Sequence, residues 1–120
     1  MTIRWGLVTL GLLVACAAPA QNPSQISVTV ADGVVNVSPT DYKFAKDQTS
    51  PVTVALGTRG YTITAVTPAD RSFSCQPASA GTWTCQSNTR TRRQTNYSVT
   101  VTNGGTPLTS NGDNIFIQED

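Results

Sequence analysis

The amino-acid sequence predicts an all-β domain, a small Greek-key β-sandwich of eight or nine short strands. Three observations carry this prediction. Beyond Gln25 no stretch keeps apolar residues at helical spacing for three turns, whereas alternation with a period of two recurs to the end of the chain. Threonine supplies 19 of the 120 residues and charged residues only 12%, about half the usual quarter. β-branched side chains suit a pleated, half-buried surface, and charge this sparse does not suit long solvated helices. Turn-forming residues then cut the chain into short runs at the spacing of a sandwich.

The best-specified element is the hairpin from Ile26 to Pro39. Its Asp32-Gly33 pair supplies the positive φ angles that a two-residue type I′ turn demands. Counting outward from that turn sets Val30 opposite Val35 and Val28 opposite Val37. All four valines then share one face, with Ser27, Thr29, Asn36 and Ser38 on the other, so turn chemistry and hydrophobic pattern select the same register.

Alternation continues at Tyr42 and Phe44, at Val52, Val54 and Leu56 after Pro51, and at Tyr61, Ile63 and Ala65 after Gly57-Thr58-Arg59-Gly60; Pro68 closes that strand. Phe73 to Cys75 and Trp83 to Cys85 predict two short strands around a Pro-, Ala-, Ser- and Gly-containing loop. Tyr97, Val99 and Val101 alternate before Asn103-Gly104-Gly105, and Ile115 to Ile117 is the last strand. Strands at this spacing resemble immunoglobulin-like or cupredoxin-like sandwiches. The order of strands within the sheets cannot be read from the pattern.

Composition excludes several chemistries. With no His, Ser-His-Asp and Cys-His arrangements and the usual zinc sites are out of reach. Copper sites of the cupredoxin family use two His, a Cys and usually a Met; here His is absent and the only Met is Met1, so a blue-copper function is excluded and no cofactor or metal is expected. A net charge of +1 gives no global field for nucleic acid.

The first residues carry an address. Met1 to Arg4 hold one positive charge, Trp5 to Val14 are an apolar run of ten, and small residues follow at Ala15, Ala17, Ala18 and Ala20. Ten residues rise only about 15 Å as a helix, roughly half a hydrocarbon core, which argues for a leader and against a permanent span. At Leu13-Val14-Ala15-Cys16 the run closes in a way that resembles the lipobox of bacterial lipoproteins. That resemblance implies cleavage before Cys16, a thioether-linked diacylglycerol on its sulfur and, with Ala17 following, delivery to the outer membrane. Two or three acyl chains make an effectively stable anchor where one binds only marginally. Ala18-Pro19-Ala20 offers the alternative of an ordinary secretory leader cut after Ala20. The expected layout is a signal peptide over 1–15, the lipidated Cys16 and a tether over 16–24, and one domain over 25–120. The part beyond the leader is similar in pattern to small bacterial β-sandwich proteins and shares no site residue with them, so that similarity implies no activity.

Both routes remove Cys16 from disulfide chemistry and leave Cys75 and Cys85, ten positions apart, as a pair for an oxidising compartment. No Cys-x-x-Cys spacing and no cation between them point to redox or metal chemistry. Their spacing departs from the antibody-type bridge between sheets, so Trp83 does not mark a true immunoglobulin domain.

Arg90, Arg92 and Arg93 are the one concentrated charge, flanked by Thr89, Thr91, Gln94 and Thr95. Such a loop suits a phosphate or carboxylate on a lipid, a glycan or a partner protein; equally it suits a solvated connection that blocks edge pairing. Asp41, Asp47, Asp70 and Asp113 are the carboxylates to weigh for hydrolysis, and Ser110-Asn111-Gly112-Asp113-Asn114 for calcium, but short loops give little room for a catalytic cleft and Asn-Gly-Asp is ordinary turn chemistry. Tyr42, Tyr61, Trp83 and Tyr97 form either an aromatic platform or core. The resulting expectation is a monomeric, non-enzymatic envelope lipoprotein, bound to the membrane through Cys16 and meeting an envelope protein or glycan. The alternative is a secreted or periplasmic inhibitor that plugs an enzyme with the arginine loop or the Cys75 to Cys85 loop.

Overall fold

The computed structural model describes residues 25–79 and 81–120; the leader, Cys16 and the tether of the sequence reading lie outside the described residues. The described residues form ten strands: β1 (Gln25–Ala31), β2 (Val34–Ser38), β3 (Asp41–Phe44), β4 (Val52–Leu56), β5 (Thr62–Pro68), β6 (Phe73–Ser79), β7 (Thr82–Ser87), β8 (Arg93–Thr102), β9 (Leu108–Thr109) and β10 (Asn114–Gln118). One sheet runs β2-β1-β4-β7-β6. The other runs β9-β8-β10-β3, with β5 also paired to β8. Each sheet contains one parallel pair, β1 with β4 and β10 with β3, so the sandwich is built from two mixed sheets.

The first hairpin has the expected register. Val28 faces Val37 and Val30 faces Val35, and the turn holds Asp32 at φ 53° and Gly33 at φ 76°. After β2 the chain passes through a cis Ser38–Pro39 bond and joins the other sheet as β3.

Three local expectations need correction. Alternation in β5 breaks at a register shift between Ile63 and Ala65, so Val66 takes the second inward position and Ala65 does not; the extra residue of a bulge reverses the facing of all that follow it. Pro68, opposite Tyr97, is the last residue of β5 and closes it as expected. β6 and β7 are longer than three residues each: their pairing continues to Ser79 opposite Thr82, past a shift between Pro77 and Ser79. Pro77 is tolerated because β6 is an edge strand, where a missing N–H leaves no partner unpaired. The tenth strand, β9, is only two residues long and gives too short a pattern to be seen in sequence.

The core between the sheets is aliphatic toward β1 and β4 and aromatic toward β3, β6, β8 and β10. Ile26, Val28, Val52, Val54, Val99, Val101 and Phe116 are fully buried. Phe116 is the hub of the aromatic part: Tyr97 stacks on it with centroids 3.8 Å apart, and Phe73 and Phe44 lie at 5.3 and 5.6 Å. Trp83, on β7, reaches across to donate its Nε1–H to the carbonyl of Ile63 in the opposite sheet, at 3.3 Å. Tyr42 and Tyr97 are buried, and Tyr61 and Trp83 pack on the core, so the aromatic residues do not form a platform.

Cys75 and Cys85 are bonded, as the sequence indicated. They sit directly opposite in the antiparallel β6–β7 pair, with Cα atoms 4.0 Å apart. Cys85 is buried in the core and Cys75 packs against it. The bridge thus staples an edge strand to its neighbour from the inner face.

A polar cleft at one end of the sandwich

Two of the connections that cross between the sheets at this end line a cleft. The 45–51 segment leads from β3 to β4, and the 88–92 segment leads from β7 to β8. Between them opens a cleft of about 260 Å³, with Phe44 and Gln118, at the ends of β3 and β10, on its floor.

Each wall is fixed by its own amide side chain. Gln48 closes the 45–50 turn: its Oε1 accepts from the N–H of Ala45, and its Nε2 donates to the Tyr42 hydroxyl at 3.1 Å and to the Ser50 carbonyl at 3.2 Å. Asn88 does the same for the other wall. Its Nδ2 donates to the Arg71 carbonyl at 3.0 Å, its N–H donates to the Ser72 carbonyl at 2.7 Å, and its Oδ1 accepts from Gln86 at 3.3 Å. The Ser87 hydroxyl donates to the carbonyl of Thr89 at 3.1 Å, and the Thr91 N–H donates to the Thr89 hydroxyl. Gln118, 2% exposed, ties β10 to the first wall through the carbonyl of Ala45 at 3.3 Å. Such local side-chain to backbone bonds satisfy chain that belongs to neither sheet.

Four lining groups are left uncommitted. Lys46, Arg90 and the hydroxyls of Thr49 and Ser50 make no hydrogen bond or ion pair among the described residues. No carboxylate lines the cleft. The walls therefore offer two cations and two hydroxyl donors, a set that suits an anion.

The three arginines of the sequence reading do not share one environment. Arg93 is the first residue of β8, opposite Gln118, and not part of the loop. Its guanidinium pairs with Asp70 at 3.1 Å, while that of Arg92 pairs with Glu119 at 3.3 Å. Only Arg90 lines the cleft. Asp70 is held below the ordinary carboxylate range, first by the backbone N–H of Ser72, which donates to it at 2.8 Å, and then by Arg93. Lys46 was not singled out in the sequence; it stands among unremarkable polar residues, and some forty positions of chain separate it from Arg90.

The remaining carboxylates do not converge. Asp70 and Asp47 lie in the segments at the cleft end, whereas Asp41 opens β3 and Asp113 precedes β10, at the other ends of those two short strands. The 110–114 segment is a turn: the N–H of Asp113 donates to Asn111 Oδ1 at 3.2 Å, Gly112 has φ 83°, and Asn96 Nδ2 donates to the Gly112 carbonyl at 2.9 Å. Among the described residues no three His, Cys, Asp or Glu side chains are grouped to hold a metal ion.

No protein-family model matches the chain, and no curated protein matches it.

Proposed function

We propose that this protein is a membrane-anchored envelope lipoprotein whose β-sandwich serves as a non-enzymatic binding module, with the cleft as its binding surface. The observation that carries the reading is Leu13-Val14-Ala15-Cys16, closing an apolar run of ten residues only nine positions before β1 begins at Gln25. The direction of β1 bears on how such an anchor would orient the domain. β1 and β4 are parallel, with Gln25 beside Thr53, and β4 follows directly on Ser50 of the cleft wall. An anchor attached ahead of β1 would hold the cleft end toward its leaflet.

The test is the intact mass of the processed native protein together with its partition in detergent. A chain beginning at Cys16, heavier by a diacylglycerol and recovered in the detergent phase, is the expected result. A mass equal to unmodified Gln21 to Asp120 in the aqueous phase overturns the anchor. The inhibitor reading is weaker, since two of its three arginines are engaged with Glu119 and Asp70.

A further inference from the structure

We propose that the cleft between the 45–50 and 86–90 segments binds the phosphate of an anionic lipid headgroup. This inference rests on the lipid-anchored reading above and adds a ligand to it. The chemistry comes from the lining. Lys46, Arg90, Thr49 and Ser50 present donors that no described residue uses, and no carboxylate competes for them. Phosphate oxygens accept several such bonds at once and carry the charge that two cations match. The one aromatic ring in the lining is Phe44, 1% exposed, so there is no face on which a sugar or base can stack. A cleft of about 260 Å³ accommodates a headgroup and not an acyl chain.

The source of the phosphate follows from polarity. Beyond Gln25 the side-chain charges balance, with seven basic and seven acidic residues. They are not evenly spread. The segments at the cleft end carry five basic side chains (Lys46, Arg71, Arg90, Arg92, Arg93) against four acidic ones (Asp47, Asp70, Glu119, Asp120), Lys43 and Asp41 share β3, and Asp32, Asp113 and Arg59 lie farther from the cleft, so the positive pole, an excess of one charge, lies at the cleft. Gln25 emerges at that same pole. Nine residues from Cys16 reach at most about 30 Å when extended, and a chain that short lets the positive end meet the leaflet while screened attraction acts within about 10 Å.

The decisive experiment titrates the full processed chain, in nonionic micelles, with phosphatidylglycerol mixed into the micelle and, separately, with inorganic phosphate, following backbone amide NMR shifts. Saturable shifts at 45–50 and 86–90 are expected with the lipid, reversed by inorganic phosphate. Each of Lys46→Ala and Arg90→Ala should weaken the lipid response about fivefold, and the pair about 25-fold, the loss expected per cation beside an anionic surface. Arg59→Ala, at the far end, should change nothing. All three variants should keep the wild-type melting temperature. Shifts spread over every charged residue, or an equal loss in Arg59→Ala, overturn the cleft as the site. Response to inorganic phosphate alone overturns the lipid source. The mass of the same preparation reports acylation independently: an unacylated chain with intact lipid shifts defeats the anchor alone, and an acylated chain without shifts defeats this inference alone.

Discussion

Removing one oxygen from Tyr97 should stabilise the protein, whereas the same change at Tyr42 should destabilise it. Both tyrosines are almost fully buried, at 2% and 1% exposure. Their hydroxyls differ. That of Tyr42 accepts a hydrogen bond from Gln48 at 3.1 Å, while that of Tyr97 has no partner among the described residues. An unsatisfied buried polar group costs about 1 to 3 kcal/mol, and a made hydrogen bond contributes about 0.5 to 1.5 kcal/mol net. Tyr97→Phe keeps the ring, and with it the stack on Phe116 at 3.8 Å, so the expected gain is about 1 kcal/mol. Tyr42→Phe should lose about 1 kcal/mol. Urea unfolding checks both, provided the slope of free energy against urea is unchanged so that midpoints compare directly. In a domain of this size 1 kcal/mol moves the melting temperature by about 4 to 8 °C. A second readout is alkaline stability. Burial, reinforced by the charge of Asp41, raises the Tyr97 pKa well above its ordinary value of 10.0. The folded state therefore holds a proton that the unfolded chain releases, so the stability associated with Tyr97 is complete below pH 10 and falls as pH rises above it. Tyr97→Phe should flatten that fall. If Tyr97→Phe instead lowers the midpoint as much as Tyr42→Phe does, the Tyr97 hydroxyl is satisfied and the reasoning fails.

Other perturbations separate the remaining terms. Replacing Cys75 and Cys85 together by Ser should cost about 2.5 to 3 kcal/mol in the chain-entropy model for a ten-residue separation, read by calorimetry as a lower melting temperature; no change would show that the bridge does not constrain the unfolded chain. Gly33→Ala should cost about 1 to 2 kcal/mol although nothing lies within 4 Å of the added carbon, because φ is +76° there. Gly81→Ala, equally open and without a positive φ, should be near neutral, and equal effects in the two variants would refute the backbone argument. Asp70 should titrate below the ordinary carboxylate range: the stability it supplies is present above the unfolded value and lost as pH falls through the lowered one. Carboxyl-carbon NMR of wild type and Arg93→Ala checks this, with a partial return expected in the variant because the Ser72 N–H persists; a midpoint at the ordinary value in wild type would contradict the geometry.

Short-range chemistry was legible in the sequence. Asp32-Gly33 selects a turn whose register places four valines on one face, and no other part of the chain has to be known for that. The pairing of Cys75 with Cys85 followed from counting cysteines, and eight or nine short strands followed from two-residue alternation between turn-forming residues. The core likewise needed only period two: Ile26, Tyr42, Phe44, Val52, Val54, Val99 and Phe116 all occupy inward positions of predicted strands.

The bulge after Ile63, the two parallel pairs and the sharing of strands between sheets were decided by tertiary structure, because each depends on which edges meet, a long-range choice that alternation leaves degenerate. The same cause explains the site. A run of arginines in sequence says nothing of which carboxylates lie opposite them; folding brings Glu119 to Arg92 and Asp70 to Arg93, and leaves Arg90 lining one cleft with Lys46. Sequence proximity assembled the charge, but the crossing of two loops between sheets determined which of it is free to bind.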